Sequence, residues 1–180
     1  SWPAFTAALS RMHAPLLNFV YADVDGNIGY IGAGAFPVRA AGDGTRPVPG
    51  WTSGFDWRGY IHESEWPRSF NPPRGYLASA NNKVASDAFP FYLGSSWEAP
   101  YRAARITELI DNAGRMAVED MTRMQRDVRS LQAKVVVPFL LKARPADGAS
   151  RDAMDRLREW DGTLSGDSGI AALYEAWYAA

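Results

Sequence analysis

The sequence contains no cysteine among its 180 residues, and this absence excludes several kinds of site at once. Disulfides, zinc sites built on thiolates and cysteine nucleophiles all need a side chain that the chain lacks. A chain without cysteine fits the cytoplasm and the periplasm equally well, so the compartment stays open at this point.

The sequence also lacks the charge pattern of a protein that binds nucleic acid or an anionic membrane surface. Its 19 basic and 20 acidic residues give a formal net charge of −1, and no run of five like charges occurs. No apolar stretch approaches the roughly 20 residues that a membrane-spanning helix needs. We therefore expect neither nucleic acid nor a membrane among the partners.

What the sequence does contain is enough apolar surface for a packed core, and its first third has the patterns of a helix and a β-hairpin. Apolar residues at helical spacing predict a short helix over 3–12, with Ser1 at its N-cap position. The runs 18–23 and 27–31 flank an Asp-Gly pair at 25–26. Such a pair between two β-prone runs predicts an antiparallel hairpin.

A stretch rich in glycine, proline and tryptophan follows over 32–73 and shows little periodicity. A long segment without regular structure is uncommon inside a compact domain and is usually functional when it occurs. We interpret it as an ordered loop that its aromatic residues hold in place. After it, we predict a short strand over 75–80 that leads into the pair Asn81-Asn82.

From residue 101 onward the spacing of apolar residues becomes helical. The segregation of strands and helices predicts an α+β fold, with a strand- and loop-rich part over 1–100 and a helical part over 101–180. The final helix reaches the last residue without a cap, so we expect the chain to be an internal segment of a longer protein, truncated at both ends. The predicted helices cover 101–114, 118–135 with Pro138 as a kink or end, 149–160 and 169–180.

Several residues that invite a catalytic interpretation have a simpler structural one. A serine at a free N-terminus can act as a nucleophile, but that chemistry needs it at the start of a strand, and Ser1 opens a helix. His13 and His62 have no carboxylate at metal-ligand spacing. The glycines of 29–34 are better explained by a strand packed close to another backbone than by a phosphate loop.

The pair Asn81-Asn82 leaves two interpretations open. An asparagine amide is a hydrogen-bond donor that can stabilise a developing oxyanion, which lowers an acyl-transfer barrier by roughly 3 kcal/mol. Two asparagines after a strand can equally form a turn, because asparagine is one of the common turn residues. The residues alone favour the turn.

Many short motifs, in order over nearly the whole chain, resemble the penicillin acylase family. Each motif is weak alone, and the resemblance rests on their number and order. The motifs are Ala14-Pro15, Asn18-Phe19-Val20-Tyr21-Ala22-Asp23, Gly26-Asn27-Ile28-Gly29-Tyr30, Pro47-Val48-Pro49-Gly50-Trp51, Asp56-Trp57, Asn71-Pro72, Gly75-Tyr76, Ala80-Asn81-Asn82, Tyr101-Arg102-Ala103-Ala104-Arg105-Ile106, Asp120-Met121, Asp127-Val128 and Trp160-Asp161-Gly162.

This resemblance implies part of an N-terminal-nucleophile hydrolase with an αββα core, which cleaves acyl amides through an acyl-enzyme on an N-terminal serine. That serine lies in a strand that this chain does not contain. The resemblance assigns the oxyanion-stabilising amide to Asn81, with Asn82 as the alternative. It also places Arg105 beside the site as a supporting residue, whereas the residues alone describe Arg105 equally well as an arginine on a solvated helix face.

The resemblance further implies a calcium ion held by oxygen ligands, to which Asp87 is a conceivable contributor while most ligands lie outside the chain. The implied partners are the α-chain, the rest of the β-chain and a small acyl-amide substrate, in the periplasm or outside the cell. Relatives cleave penicillins, glutaryl cephalosporins, acyl-homoserine lactones and lipopeptides, so a link to antibiotic metabolism is one expectation among several.

A second hypothesis from a different class is a non-catalytic binding module. Four tryptophans could form an aromatic platform for a ligand, although tryptophans in a proline-rich loop more often anchor the loop itself. These tryptophans are Trp51, Trp57, Trp66 and Trp97.

Overall fold

The computed structural model describes residues 1–179, and they form two compact units that meet in sequence between Glu98 and Ala99. The first unit contains one helix and all the strands of the described chain, and the second contains the other helices. The α+β arrangement predicted from the sequence is therefore confirmed.

The first unit is built on a three-stranded antiparallel sheet in the order β1-β2-β5, with a separate two-stranded ribbon of β3 and β4. Strand β2 is central and pairs with both neighbours. The elements are α1 (Trp2–Leu9), β1 (Leu17–Ala22), β2 (Ile28–Ala33), β3 (Pro37–Arg39), β4 (Trp57–Tyr60) and β5 (Arg68–Phe70), with short 3-10 turns at Ser53–Phe55 and Glu63–Glu65.

The predicted hairpin between β1 and β2 is confirmed, and its turn shows why the sequence forms it. Gly26 takes a positive φ of 84°, which glycine adopts without steric cost. The carboxylate of Asp23 accepts hydrogen bonds from the backbone N–H groups of Asp25 and Asn27, at 3.0 and 2.9 Å. Hydrogen bonds from the Asn27 side chain, and then those from the backbone, lower the pKa of Asp23.

Helix α1 is the predicted lead-in helix, and it lies on one face of the sheet. The Ser1 hydroxyl accepts a hydrogen bond from the Ala4 N–H at 3.4 Å, so Ser1 is the predicted N-cap. The Trp2 ring covers Gly29 of β2 so closely that a Cβ there would lie 2.3 Å from it. The core cluster of this unit contains Leu9, Ile31, Ala33, Phe36, Ile61 and Trp66, with Trp2, Phe5 and Phe19 packed against it.

The long loop predicted over 32–73 is ordered, but it is not free of regular structure. It contains β3, β4 and β5, which are only three or four residues long and pair with distant partners. Trp66 anchors it as expected, with its ring buried and its Nε1–H donating to the Ile61 carbonyl at 3.2 Å. Trp51 does not, because 87% of its surface is exposed.

The strand predicted over 75–80 is wrong, since these residues form no regular strand. Hydrogen bonds to side chains hold this segment in place of the backbone hydrogen bonds that pair a strand with its neighbour. The Ala80 N–H donates to the Asn82 side chain at 3.0 Å, and the Ser79 hydroxyl accepts from the Asn18 amide at 3.2 Å. The segment is therefore fixed without pairing to the sheet.

The second unit is helical, and Tyr174 lies at its centre with its side chain fully buried. Its core cluster consists of Ala133, Val137, Leu157 and Tyr174, with Val136, Leu140, Trp160 and Ile170 packed against it. The helices are α2 (Tyr101–Ala113), α3 (Val118–Gln125), α4 (Leu131–Leu140), α5 (Gly148–Glu159) and α6 (Gly169–Ala179).

The helix predicted over 118–135 is instead two helices, α3 and α4, because the chain turns at 126–130. There the Ser130 N–H donates to the Gly162 carbonyl at 2.8 Å, and the Ser130 hydroxyl caps α4. Pro138 does not end α4, which continues to Leu140. The apolar residues keep their helical spacing across the turn, so the sequence pattern does not show where α3 ends and α4 begins.

The contact between Trp2 and Gly29 predicts that Gly29→Ala destabilises the first unit by about 1–3 kcal/mol, the usual cost of overpacking. The Trp2 ring has little room to move, because it also stacks on Phe70 with a centroid separation of 5.3 Å. Urea unfolding measures the change. Gly50→Ala is the control, since a Cβ at Gly50 meets nothing within 4 Å; equal effects of the two substitutions would contradict the packing argument.

Candidate functional site

Asn81 lies in a sharp turn directly after the buried residue Ala80. Its φ is 61°, in the left-handed region that asparagine tolerates better than most residues. Its carbonyl accepts a hydrogen bond from the Glu98 N–H at 3.0 Å. This bond closes residues 81–98 into a loop, and Asn81 lies at the exposed base of that loop.

Asn82, the alternative donor, uses its side chain to build the turn. Its Oδ1 accepts from the Ala80 N–H at 3.0 Å, and its Nδ2 donates to the Lys83 carbonyl at 3.2 Å. Both ends of the Asn82 amide therefore bind the local backbone, as asparagine commonly does in turns.

Arg105 lies on α2 and is held by two carboxylates. Its Nε and Nη2 donate to the two oxygens of Asp127 at 2.8 and 2.7 Å, and its Nη1 lies 3.1 Å from Glu108. Only 17% of the Arg105 side chain and 21% of the Asp127 side chain are exposed. Arg105 is therefore not on a solvated helix face.

The pairing of Arg105 with Asp127 shifts the pKa of each residue in the direction that favours its charged form. Hydrogen bonds to Asp127, and then to Glu108, raise the pKa of Arg105. The hydrogen bonds from Arg105 lower the pKa of Asp127, with a further contribution from the Arg129 N–H. Asp127 thus joins α2 to the segment before α4, and sequence reasoning did not identify it as the partner because 22 residues separate the pair.

Asp87, the conceivable calcium ligand, lies on the loop 81–98 and forms an ion pair with Lys83. Its side chain is 96% exposed, and the hydrogen bond from Lys83 lowers its pKa. Residues 1–179 contain no group of three or more histidine, cysteine, aspartate or glutamate side chains placed to hold a metal ion. Asp87 by itself does not make a calcium site, so calcium binding stays a prediction that depends on ligands from elsewhere.

The other candidates from the sequence have local structural contacts. The ring of His62 accepts from the Ser64 N–H at 3.3 Å and caps a 3-10 turn. The Nε1–H of Trp97 donates to the Gly94 carbonyl at 3.2 Å, within the loop 81–98. With Trp66 buried and Trp97 bonded to its own loop, the four tryptophans do not share one role.

Comparison with known proteins places this geometry in a family. The family model for penicillin amidase matches residues 1–180. Acyl-homoserine lactone acylase QuiP of Pseudomonas fluorescens is 36% identical over 93% of the chain, and penicillin acylase 2 proenzyme of Pseudomonas sp. strain SE83 is 34% identical over 88%. Penicillin G acylase of Escherichia coli is 34% identical over 94%.

The chain belongs to the penicillin amidase family. It spans only about a fifth of the length of these relatives, 21–22%. The solved structure of a thermostable penicillin G acylase from Alcaligenes faecalis matches with a TM-score of 0.74 and 27% identity, over 98% of this chain and 34% of that one. The penicillin-acylase-like fold expected from the motifs is therefore confirmed.

Among residues 1–179, no helix is long and apolar enough to cross a bilayer.

The partly buried pair of Arg105 and Asp127 predicts that Asp127→Asn lowers the free energy of unfolding by about 1–3 kcal/mol, because a charged hydrogen-bond partner is lost. The folded-state pKa of Asp127 is lowered, so its contribution is complete above the unfolded value near 3.9 and is lost as the pH falls through the folded value. The difference between wild type and variant should therefore shrink below about pH 4.

Urea unfolding at a series of pH values measures this difference. Asp155→Asn is the matched control, since Asp155 pairs with Arg158 on the exposed surface of α5. Exposed pairs of this kind contribute about 0.5 kcal/mol or less. An Asp127 effect as small as the Asp155 effect, or independent of pH, would show that the pair does not stabilise the unit.

Proposed function

We propose that this chain is part of an amidohydrolase that cleaves acyl amide bonds through an acyl-enzyme. The nucleophile is an N-terminal serine contributed by a part of the protein outside these 180 residues. The observation that carries the proposal is the family match over all 180 residues, with penicillin and acyl-homoserine lactone acylases among the relatives. The exposed turn at Asn81 supplies the supporting geometry.

In the proposed reaction the serine oxygen attacks the carbonyl carbon of the amide, and the carbonyl oxygen becomes negatively charged. The Asn81 amide and a backbone N–H from outside this chain donate hydrogen bonds to that oxygen. An amide donor needs no change of protonation, so it stabilises the charge without its own proton transfer. The amine leaves with a proton, and water then releases the acyl group from the serine.

Arg105 keeps the supporting role that the family resemblance implies. Its geometry suits a fixed positive charge, because Asp127 and Glu108 hold three of its guanidinium nitrogens. A guanidinium bound in this fork-like manner has little freedom to reorient. It also stays charged at every working pH, since its pKa is raised.

The proposed partners follow from the share of the relatives that the chain spans. About four-fifths of each relative has no counterpart here, so we propose that an α-chain and the rest of the β-chain complete the site. A periplasmic or secreted location, a structural calcium ion and a role in antibiotic metabolism remain proposals from the resemblance. The encoding DNA on either side tests the location, because an upstream signal peptide followed by a serine-initiated strand would establish it.

Asn81→Gly in the full-length enzyme should lower kcat by about 10²- to 10³-fold, the usual effect of removing one oxyanion donor. Glycine is the better substitution than alanine, because φ at this position is 61° and glycine adopts such values freely. The melting temperature should stay near that of wild type. Steady-state kinetics on an acyl anilide measure the effect.

Asn82→Ser is the matched control for the neighbouring amide. A serine hydroxyl can accept from a nearby backbone N–H, which preserves the turn that Asn82 makes with Ala80. We expect kcat within about threefold of wild type, since the change keeps the acceptor for the Ala80 N–H and adds no charge. The reverse pattern, with a large loss at Asn82 and none at Asn81, would move the donor role to Asn82.

The purified 180-residue chain should not hydrolyse a chromogenic phenylacetyl anilide, because the proposed nucleophile is not in it. Ser1 is the only terminal serine available, and its hydroxyl caps α1. Product formation is followed by absorbance at substrate concentrations that saturate the full-length enzyme. Turnover that Ser1→Ala abolishes would contradict the proposal.

A further inference from the structure

Asn18 on β1 connects two parts of the first unit that the sequence keeps far apart. Its Oδ1 accepts a hydrogen bond from the Tyr30 hydroxyl at 2.6 Å. Its Nδ2 donates to the Ser79 hydroxyl at 3.2 Å, across 61 residues. Tyr30, Asn18 and Ser79 therefore form a continuous hydrogen-bonded chain from the central strand to the segment that precedes Asn81.

The register of the hairpin explains why the Tyr30 hydroxyl reaches Asn18. Asn18 lies opposite Gly32, and Tyr30 is two residues before Gly32 on the same face of β2. The Tyr30 ring thus lies along the diagonal between the strands, within reach of a long side chain. A Cβ at Gly32 would stand 3.5 Å from the Tyr30 hydroxyl, so this hydroxyl lies beside the backbone of Gly32 on its way to Asn18.

The Tyr30 hydroxyl and the Asn18 amide determine which group donates and which accepts in this chain of hydrogen bonds. Burial raises the pKa of Tyr30 to about 12, so the phenol is protonated and can donate. The Asn18 Oδ1 has no proton and can only accept from it. With Oδ1 fixed toward Tyr30, the Asn18 Nδ2 is directed toward Ser79.

Ser79 lies two residues before Asn81, in the segment that has no strand ladder to hold it. On one side of Asn81 the Asn18 amide binds the side-chain hydroxyl of Ser79, and on the other the Glu98 N–H binds the carbonyl of Asn81 itself. Asn18 also lines a cavity of about 190 Å³ together with Val84 and Trp97 of the loop 81–98. Sheet and loop therefore meet at Asn18.

We propose that Tyr30 and Asn18 are positioning residues that hold the backbone before Asn81 and so aim its amide at the oxyanion. The proposal rests on the proposed function of Asn81. Neither residue touches the substrate in this scheme. Tyr30 fixes the amide of Asn18, Asn18 fixes Ser79, and Ser79 fixes the start of the turn that presents Asn81.

The test uses the full-length enzyme with Tyr30→Phe and Asn18→Ala, each made alone and in the Asn81→Gly background. Tyr30→Phe keeps the ring and removes only the hydroxyl, so the variant retains its packing. Each single change should lower kcat about three- to tenfold, the population shift that one lost hydrogen bond allows, and should leave KM within about twofold. In the Asn81→Gly background neither change should lower kcat further, because the group they position is absent.

Ile31→Val is the control for a general loss of stability. Ile31 follows Tyr30 on β2, faces the opposite side of the sheet and is 1% exposed, so trimming it weakens the same strand without touching Asn18. It should lower the melting temperature and leave kcat unchanged.

Two outcomes would overturn the positioning role while Asn81 keeps its own. One is an unchanged kcat in Tyr30→Phe and Asn18→Ala when Asn81→Gly loses activity. The other is an equal loss in both backgrounds, which would show that the residues act independently of Asn81. If Asn81→Gly itself leaves kcat unchanged, the proposed oxyanion role fails and the positioning proposal falls with it.

Discussion

The close approach of large side chains to the backbone of β2 is the constraint on which the first unit depends. On one face the Trp2 ring covers Gly29 and fixes α1 on the sheet. On the other face Gly32 admits Pro67, whose carbonyl accepts from the Gly32 N–H at 2.9 Å, and leaves room for the Tyr30 hydroxyl. A Cβ at Gly29 would displace the Trp2 ring, and a Cβ at Gly32 would press on the Pro67 ring at 3.1 Å.

The two units hold their candidate residues by different physical means. The segment around Asn81 contains hydrogen bonds among uncharged backbone, asparagine and serine groups. Arg105 is held by charged bonds to Asp127 and Glu108, which depend on the ionisation of both carboxylates. Acid that protonates Asp127 should therefore loosen the surroundings of Arg105.

Features that the sequence encodes locally were predictable, and features that depend on distant pairing were not. The Asp25-Gly26 turn and the helical spacing from residue 101 predict the hairpin and most helices. Strands β3 to β5 are too short to show alternation, and the strand predicted over 75–80 fails because side chains satisfy its backbone. At the site, the family motifs indicate Asn81 and Arg105, but nothing in a single sequence pairs Asp127 with Arg105 across 22 residues.

The two interpretations of Asn81-Asn82 that the sequence left as rivals need not exclude each other. The turn requires one residue that accepts a positive φ and one whose side chain can bond the local backbone, and the structure gives the first task to Asn81 and the second to Asn82. Glycine would satisfy the first task with less strain than asparagine does. Asparagine is nevertheless among the residues other than glycine that adopt this conformation most readily, so Asn81 can serve the turn through its backbone and still carry the donor amide that we propose.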